Sequence, residues 1–413
     1  MRVGEVDLIE TLNTYLMPST PVRREELLRG RAQDLQHVLQ SLDAPGRNIF
    51  IYGDRGVGKS SLGQTAAYLK QSSDQEPVLL SCDPKSTFFS LARDIAKALI
   101  RRGPLEQSRT RKYGVGATLS PFTAEAAREI QEGNVPVPSS VNEAIALIRF
   151  GGDCHSQHPV VVLDEFDRLA SGEDRSLFGD LIKQLGDQDV AVKFIFCGVG
   201  PSLDDLLAGH ESSYRYLAGV RLQRLGIQAL VDITRGAADA LRIRVKEDYV
   251  IRTARISDGF PHYTHLISWN MFSILIRESP GRLLVRASHY TEAINRATLD
   301  VEPRLLHMYQ KAAEKYSDDY QIILWALAAH ADLRRRSTDV YKDYQRLAYL
   351  LGQEPLERDK FNARINALKT VEHASVLKGS TTGWYEFSEP MLRGYCRLRA
   401  EAKGLDLGLD YNV

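Results

Sequence analysis

A glycine-rich stretch directly follows a short apolar run at residues 49–52 and ends in Lys59 and Ser60. It satisfies the pattern G-x-x-x-x-G-K-[ST], in which glycines allow consecutive backbone N–H groups to point at a polyphosphate. Lys59 would reach the β- and γ-phosphates, and the Ser60 hydroxyl would bind Mg²⁺. A turn that merely joined a strand to a helix would not need lysine and serine here. The motif predicts that ATP or GTP binds to Gly53, Asp54, Arg55, Gly56, Val57, Gly58, Lys59, Ser60 and Ser61.

A second stretch has four branched apolar residues, 160–163, followed by Asp164 and Glu165. Such a run is typical of a parallel strand that is buried on both faces. Asp164 at its end would hold the waters of Mg²⁺, and Glu165 would polarise the attacking water. An apolar run capped by acids is common by itself. Here it follows a phosphate-binding motif, and the two together predict hydrolysis of the nucleotide.

Composition limits the other functions. The 413 residues include 53 Lys+Arg and 53 Asp+Glu, so any attraction to nucleic acid must come from a local patch. The four cysteines form no C-x-x-C, which argues against a disulfide framework or a zinc ribbon. Cys154, His155 and His158 have no usual metal-ligand spacing and are interpreted as polar loop residues. Without a leader or a long apolar run, the sequence predicts a soluble cytoplasmic protein with no membrane contact.

Apolar periodicity predicts the elements that position these motifs. The pattern indicates helices over residues 8–16, 23–42, 87–101 and 141–150, and further strands over 77–82 and 190–198. Residues 102–140 have the composition of an insertion or loop. Strands that alternate with helices favour an α/β fold with a parallel sheet.

The C-terminal region has the pattern of a winged helix. Three helices are predicted over residues 316–331, 338–351 and 357–368, followed by a hairpin over 377–385. The third helix leaves DNA-contacting types outside its apolar face: Arg358, Asn362, Arg364, Asn366 and Lys369. Arg334, Arg335 and Arg336 could clamp phosphates or form a solvated turn. Because the region is nearly balanced in charge, contact with a protein is the alternative.

The ordered set of motifs resembles AAA+ ATPases. Residues 163–169, the upstream 29–31 and Ser81-Cys82 resemble the origin-recognition and replication-initiator clade, and related STAND-type signalling ATPases share several of these features. The resemblance implies a P-loop AAA+ parallel-sheet core with a helical lid, followed by an α+β winged-helix domain. The corresponding boundaries are 1–20 for an N-terminal helix, 21–224 for the core, 225–302 for the lid and 303–413 for the winged helix.

The resemblance also implies ATP and Mg²⁺ as cofactors and a homo-oligomer, a ring or spiral, that forms on ATP. Arg215 would act as an arginine finger in a neighbouring subunit, with Arg221 and Arg224 as competitors for the role. Cys197 stands where the family has a polar sensor 1 residue, and His262 stands where the initiators have the sensor 2 arginine. The Gly-x-Pro start of the lid at residues 259–261 resembles STAND proteins, and Asp54-Arg55-Gly56, where many AAA+ proteins have proline before the glycine, leans toward STAND-like or transposition-type relatives. Two functions are therefore expected: an ATP-gated machine that acts on DNA, or a regulatory or antiphage-defence switch that recruits a protein effector.

Overall fold

The computed structural model describes residues 3–102, 134–200, 215–278, 283–379 and 383–407. Most of the predicted insertion at 102–140 therefore lies outside the described residues. The chain divides into two compact units. We call Pro21–Asp54 with Gly58–Gln223 the sheet unit, and Met1–Thr20 with Arg55–Val57 and Arg224–Val413 the helical unit.

The sheet unit is built on five parallel strands in the order β2-β3-β4-β1-β5. Their bounds are β1 Asn48–Gly53, β2 Val78–Ser81, β3 Val160–Asp164, β4 Lys193–Val199 and β5 Leu217–Leu222. The helices are α2 Ala32–Asp43, α3 Lys59–Lys70, α4 Phe88–Arg102, α5 Val141–His155 and α6 Gly172–Asp187. The predicted α/β class with a parallel sheet is confirmed.

The strand register brings the two motifs to one edge of the sheet. Gly53, the last residue of β1, lies opposite Val199 of β4 and Leu222 of β5. Leu163 of β3 lies opposite Phe196 of β4, so Asp164 ends its strand beside the same neighbour. Since the carboxyl ends of parallel strands meet at one edge, ligands of such sheets bind in the crevice there.

An aromatic cluster under that edge fixes the turn after β3. The Phe166 ring meets the rings of Phe50, Phe178 and Phe196 edge to face, with centroid distances of 5.4, 5.3 and 5.2 Å. All four side chains are buried. Edge-to-face pairs of this kind add stability beyond the apolar area that they bury. Phe166 directly follows Glu165, so its buried ring anchors the acidic turn.

Two predictions in this unit are wrong in detail. The helix expected from residue 23 begins only at Ala32, because a short 3-10 turn, Glu25–Leu27, precedes Gly30, whose φ is +70°. The helix α5 runs past residue 150 to His155, so Cys154 and His155 are buried helical residues and not loop residues. Within the described ranges, no group of His, Cys, Asp or Glu side chains has the geometry of a metal site.

The helical unit contains the remaining elements. Its helices are α1 Val3–Tyr15, α7 Ile227–Ala240, α8 Glu247–Ser257, α9 Pro261–Glu278, α10 Ala287–Leu299, α11 Pro303–Tyr309, α12 Asp319–Ala328, α13 Ser337–Leu350, α14 Arg358–Ala367 and α15 Pro390–Ala402. Near the C-terminus, β6 Arg335–Arg336, β7 Leu377–Gly379 and β8 Trp384–Phe387 form an antiparallel sheet in the order β6-β8-β7. The three predicted C-terminal helices and the hairpin are present as α12, α13, α14 and β7–β8. None of the described helices combines the length and hydropathy that a membrane span needs.

Candidate functional site

The loop after β1 needs glycine for a geometric reason. Gly53, Gly56 and Gly58 have φ values of +141°, +77° and +97°. These values lie where residues with a side chain are strained. A Cβ on Gly53 would also come within 2.4 Å of the carbonyl oxygen of Leu222 on the neighbouring strand. The loop can therefore keep its curl beside β5 only with glycine at position 53.

Gly53→Ala is expected to lower the free energy of unfolding by at least about 2 kcal/mol, because backbone strain and a clash with main chain add together. Gly226→Ala is the matched control. The φ of Gly226 is −66°, and its Cβ would meet nothing within 4 Å, so its loss as the N-cap of α7 should cost no more than about 1 kcal/mol. Denaturant unfolding of both variants measures the difference. Equal losses would contradict the strained geometry at Gly53.

Lys59 and the two serines lie in the first turn of α3. The Lys59 ammonium donates to the carbonyl oxygens of Gly53 (3.3 Å) and Asp54 (2.7 Å), across the mouth of the loop. Burial lowers the pKa of Lys59, while nearby charges that include Asp167 and Asp164 oppose that shift. A lysine with these neighbours is desolvated and available to a polyphosphate. Ser60 is half-buried beside it, and the Ser61 hydroxyl accepts from the backbone N–H of Val22 at 3.1 Å.

The acidic turn after β3 is held in an unusual backbone conformation. Glu165 has a φ of +53°, in the left-handed region, and its N–H donates to Asp164 Oδ1 at 2.8 Å. Residues with a side chain adopt this region mainly where the surrounding structure forces it, often at functional sites. The Glu165 carboxylate accepts from Arg168 Nη1 at 2.7 Å. Both side chains are exposed, so the pair is weak and the carboxylate can reorient.

Asp167 makes a contact that sequence reasoning missed. Its Oδ1 accepts from the N–H of Val199, at the end of β4, at 2.7 Å. This bond ties the acidic turn to the neighbouring strand and fixes the position of Asp164 and Glu165 relative to β1. In the sequence, Asp167 is only an acidic residue two positions after Glu165. That pattern does not indicate which residue its carboxylate contacts.

The end of β1, the strained glycine loop, the lysine on the following helix and the acid pair at the end of β3 all lie at one edge of the sheet, with β4 between β1 and β3. Residues 21–195 match the family described as AAA ATPase domain. The chain contains an AAA ATPase domain. It is therefore an ATP-hydrolysing enzyme, and the predicted AAA+ resemblance is confirmed. Among curated proteins, none matches the chain in sequence.

The fold of the chain is similar to several solved structures. A Walker-type ATPase of Pyrococcus abyssi has a TM-score of 0.52 at 15% identity, with 92% of this chain and 99% of that chain covered. The Aeropyrum pernix ORC1 protein, solved in complex with DNA, has a TM-score of 0.49 at 16% identity and coverages of 95% and 96%. Cdc6p from Pyrobaculum aerophilum has a TM-score of 0.45 at 16% identity and coverages of 95% and 98%. At 15% identity, the similarity to the Pyrococcus abyssi ATPase shows a shared fold alone.

The two residues predicted at the sensor positions, Cys197 and His262, have local partners. Cys197 is fully buried and its thiol donates to the carbonyl oxygen of Lys59 at 3.6 Å, while burial raises its pKa well above the usual value. Its contact to the site therefore runs through the backbone of α3. In the helical unit, His262 Nδ1 is 2.9 Å from the carbonyl oxygen of Pro18. Burial lowers the pKa of His262, opposite to the shift that an adjacent phosphate would cause. Its role as sensor 2 stays a prediction.

Residues 55–57 of the loop after β1 belong to the helical unit. Arg55, within Arg55–Val57, donates to the Glu302 carboxylate at 2.6 Å. A Cβ on Gly56 would come within 2.6 Å of the Met391 sulfur. The side chain of Arg55 thus has a partner of its own, and its contribution to nucleotide binding is expected from the loop backbone.

The three arginine finger candidates differ in their surroundings. Arg215 is exposed two residues before β5, and Arg221 is exposed near the end of that strand. Arg224 pairs with Asp258 at 2.8 Å, stacks over Phe260 with 4.5 Å to the ring centroid, and is 17% exposed. A finger must reach a neighbouring subunit, so these contacts favour Arg215 and Arg221 over Arg224. Residues 201–214, which precede Arg215, lie outside the described part of the chain.

Proposed function

We propose that the chain is an ATP-hydrolysing switch that oligomerises on ATP and acts on DNA, as initiator- or transposition-type ATPases do, through its C-terminal region. This proposal rests on a cationic groove between α14 and β8. In a winged helix the third helix and the hairpin lie side by side at the DNA, and a groove between the corresponding elements of this chain supports the proposal. The alternative function, recruitment of a protein effector, becomes an outcome of the test.

At the catalytic end, the residues fit ATP with Mg²⁺. The Ser60 hydroxyl and the Asp164 carboxylate would supply hard oxygen ligands, the type that Mg²⁺ prefers. Two protein ligands are enough, because Mg²⁺ usually keeps waters and phosphate oxygens as its other ligands. Bound Mg²⁺ would neutralise the charge on the β- and γ-phosphates. Lys59 would orient the same phosphates, and Glu165, freed from Arg168, would orient the attacking water.

The groove has a volume of about 640 Å³ and is lined by residues of β6, α13, α14 and β8 together with Gly383. None of the described lining residues is acidic. Arg334 and Arg336 stack over the Trp384 ring with 5.5 and 5.0 Å to its centroid, which orders both guanidinium groups. Arg336 and Trp384 line the groove, and Arg334 contacts the same ring. The two guanidinium groups are ordered and exposed, and the lining has no acid to pair with them. They are therefore suited to binding phosphate groups.

The middle arginine of the predicted clamp does not face outward. Arg335 is 7% exposed, donates to the carbonyl oxygen of Ala326 at 2.6 Å and pairs with Asp343 at 2.7 Å. The phosphate contact predicted for Arg335 is therefore wrong. Alternate residues of the short strand β6 point to opposite faces, so burial of Arg335 leaves Arg334 and Arg336 on the outer face.

The double change Arg334→Ala with Arg336→Ala is expected to weaken binding to all duplex sequences alike. With about four phosphates neutralised, the slope of log K against log salt should be roughly −3 to −4, and it should become shallower by about two in the variant. Fluorescence anisotropy on the ATP-bound full chain across a salt series measures this slope. The control Arg235→Ala removes an exposed arginine that pairs with Glu247. Both residues are distant in sequence from Arg334 and Arg336. Absence of DNA binding by the unmodified chain even at low salt would favour the effector-recruiting switch.

A further inference from the structure

Two asparagines on α14 line the groove, and the oxygen of each amide already accepts a hydrogen bond. Asn366 Oδ1 accepts from the Tyr385 hydroxyl at 3.1 Å, and Asn362 Oδ1 accepts from the Ser337 hydroxyl at 3.5 Å. The two asparagines are four residues apart, so both project from the same face of α14. The wall of the groove therefore sets the direction of both amides.

A chain of donors fixes these directions. Arg358 donates through Nη2 to the Ser337 hydroxyl at 2.8 Å and through Nη1 to the Ser337 carbonyl oxygen at 3.1 Å. A guanidinium group cannot accept, so the Ser337 hydroxyl accepts from Arg358 and gives its own proton to Asn362. Tyr385 is buried, and burial raises the pKa of its hydroxyl, which therefore stays protonated and donates to Asn366.

The consequence is a groove that offers donors. With its oxygen turned toward Tyr385 or Ser337, each amide directs its NH₂ group away from that partner, and within the described residues neither NH₂ group has a hydrogen-bond partner. Arg336 and the Trp384 indole also line the groove and can only donate. The backbone carbonyl of Gly383 is taken by the Ser337 N–H at 2.8 Å. The hydroxyls of Ser337, Thr338 and Tyr385 also line the groove and can accept, so they do not discriminate.

We propose that this groove selects a base edge with two acceptors, the N7 and O6 of guanine in the major groove, over the edge of adenine. Adenine offers N7 beside an amino group, so its usual asparagine pair needs the amide oxygen and nitrogen together. Here the oxygens of Asn362 and Asn366 are turned to the wall, so an adenine amino group meets donors. The inference rests on the proposed action on DNA and adds which edge is read.

Four short duplexes of alternating sequence test the proposal without a known target site: G·C, inosine·C, A·T and 2,6-diaminopurine·T. Inosine keeps the major-groove edge of guanine but loses its minor-groove amino group. Diaminopurine keeps the major-groove edge of adenine and gains that amino group. With the full chain and a nonhydrolysable ATP analogue, we expect G·C and inosine·C to bind alike, and about fivefold or more tighter than A·T and diaminopurine·T.

Tyr385→Phe removes the donor that holds Asn366, so the amide can turn and the preference for the guanine edge should fall. Tyr349→Phe is the matched control, since Tyr349 is 66% exposed at the end of α13, and it should leave the preference unchanged. Inosine·C grouping with A·T would overturn the proposal in favour of the minor groove or DNA shape. Equal binding of all four duplexes would overturn it and leave the action on DNA intact. Binding of none would overturn the proposed function as well.

Discussion

Glu165→Gln is expected to keep ATP bound while turnover falls by roughly 10² to 10⁴-fold, the usual share of a general base or water-orienting carboxylate. The amide has the size of the carboxylate, so the left-handed turn at Glu165 and its N–H bond to Asp164 remain. What disappears is the negative charge that polarises the attacking water. Lys59→Ala should instead abolish binding, because it removes the cation at the phosphates. Equilibrium binding of a fluorescent ATP analogue and steady-state phosphate release separate the two effects.

The control for this pair is Glu173→Gln, which makes the same chemical change at an exposed position in the first turn of α6. It should retain both binding and turnover. Turnover of Glu165→Gln at the level of Glu173→Gln would remove Glu165 from the catalytic role. Loss of ATP binding in Glu165→Gln would mean that the carboxylate supports the nucleotide itself, which the exposed pair with Arg168 gives no reason to expect.

The parts of this fold that were predictable from sequence are those set by local pattern. The run at residues 160–163 could only be a strand covered on both faces, and the glycine spacing around Lys59 required a turn that curls around phosphate. The helix predicted at residues 23–42 was wrong at its start, because its periodic apolar residues, 35, 38, 39 and 42, all lie after Gly30. The left-handed Gly30 and the 3-10 turn before it separate the charged residues at the start from the helix.

The site contacts that were not predictable join residues far apart in the chain. The hydrogen bond between His262 and Pro18 spans 244 positions, and no local spacing announces it. Arg335 stands between two exposed arginines in a charge run, and only the pairing of β6 with β8 decides that it is the buried one. The Asp167 bond to Val199 depends in the same way on which strand neighbours β3. Sequence pattern gives residue types and periods, whereas tertiary contacts choose the partners.

Arg215→Ala is expected to lower turnover on the order of 10³-fold with ATP affinity nearly unchanged, if Arg215 stabilises the transition state on a neighbouring subunit. The reason is that a finger meets the charge that develops during transfer and contributes little to the ground state. Arg221→Ala is the matched comparison, since both arginines are exposed in the same segment. Only the variant that lacks the finger should show the large loss.

Mixing Arg215→Ala with Lys59→Ala subunits gives a sharper test of whether Arg215 acts on a neighbouring subunit. The Arg215→Ala subunit keeps Lys59, and the Lys59→Ala subunit keeps Arg215, so each supplies the half that the other lacks. In a head-to-tail assembly with random order, an equimolar mixture should place the two in productive order at roughly one interface in four. Activity should therefore return toward a quarter of the unmodified level, although each variant alone is inactive. Mixed oligomers shown by mass spectrometry without any return of activity would reject action between subunits and leave Arg215 as a surface residue.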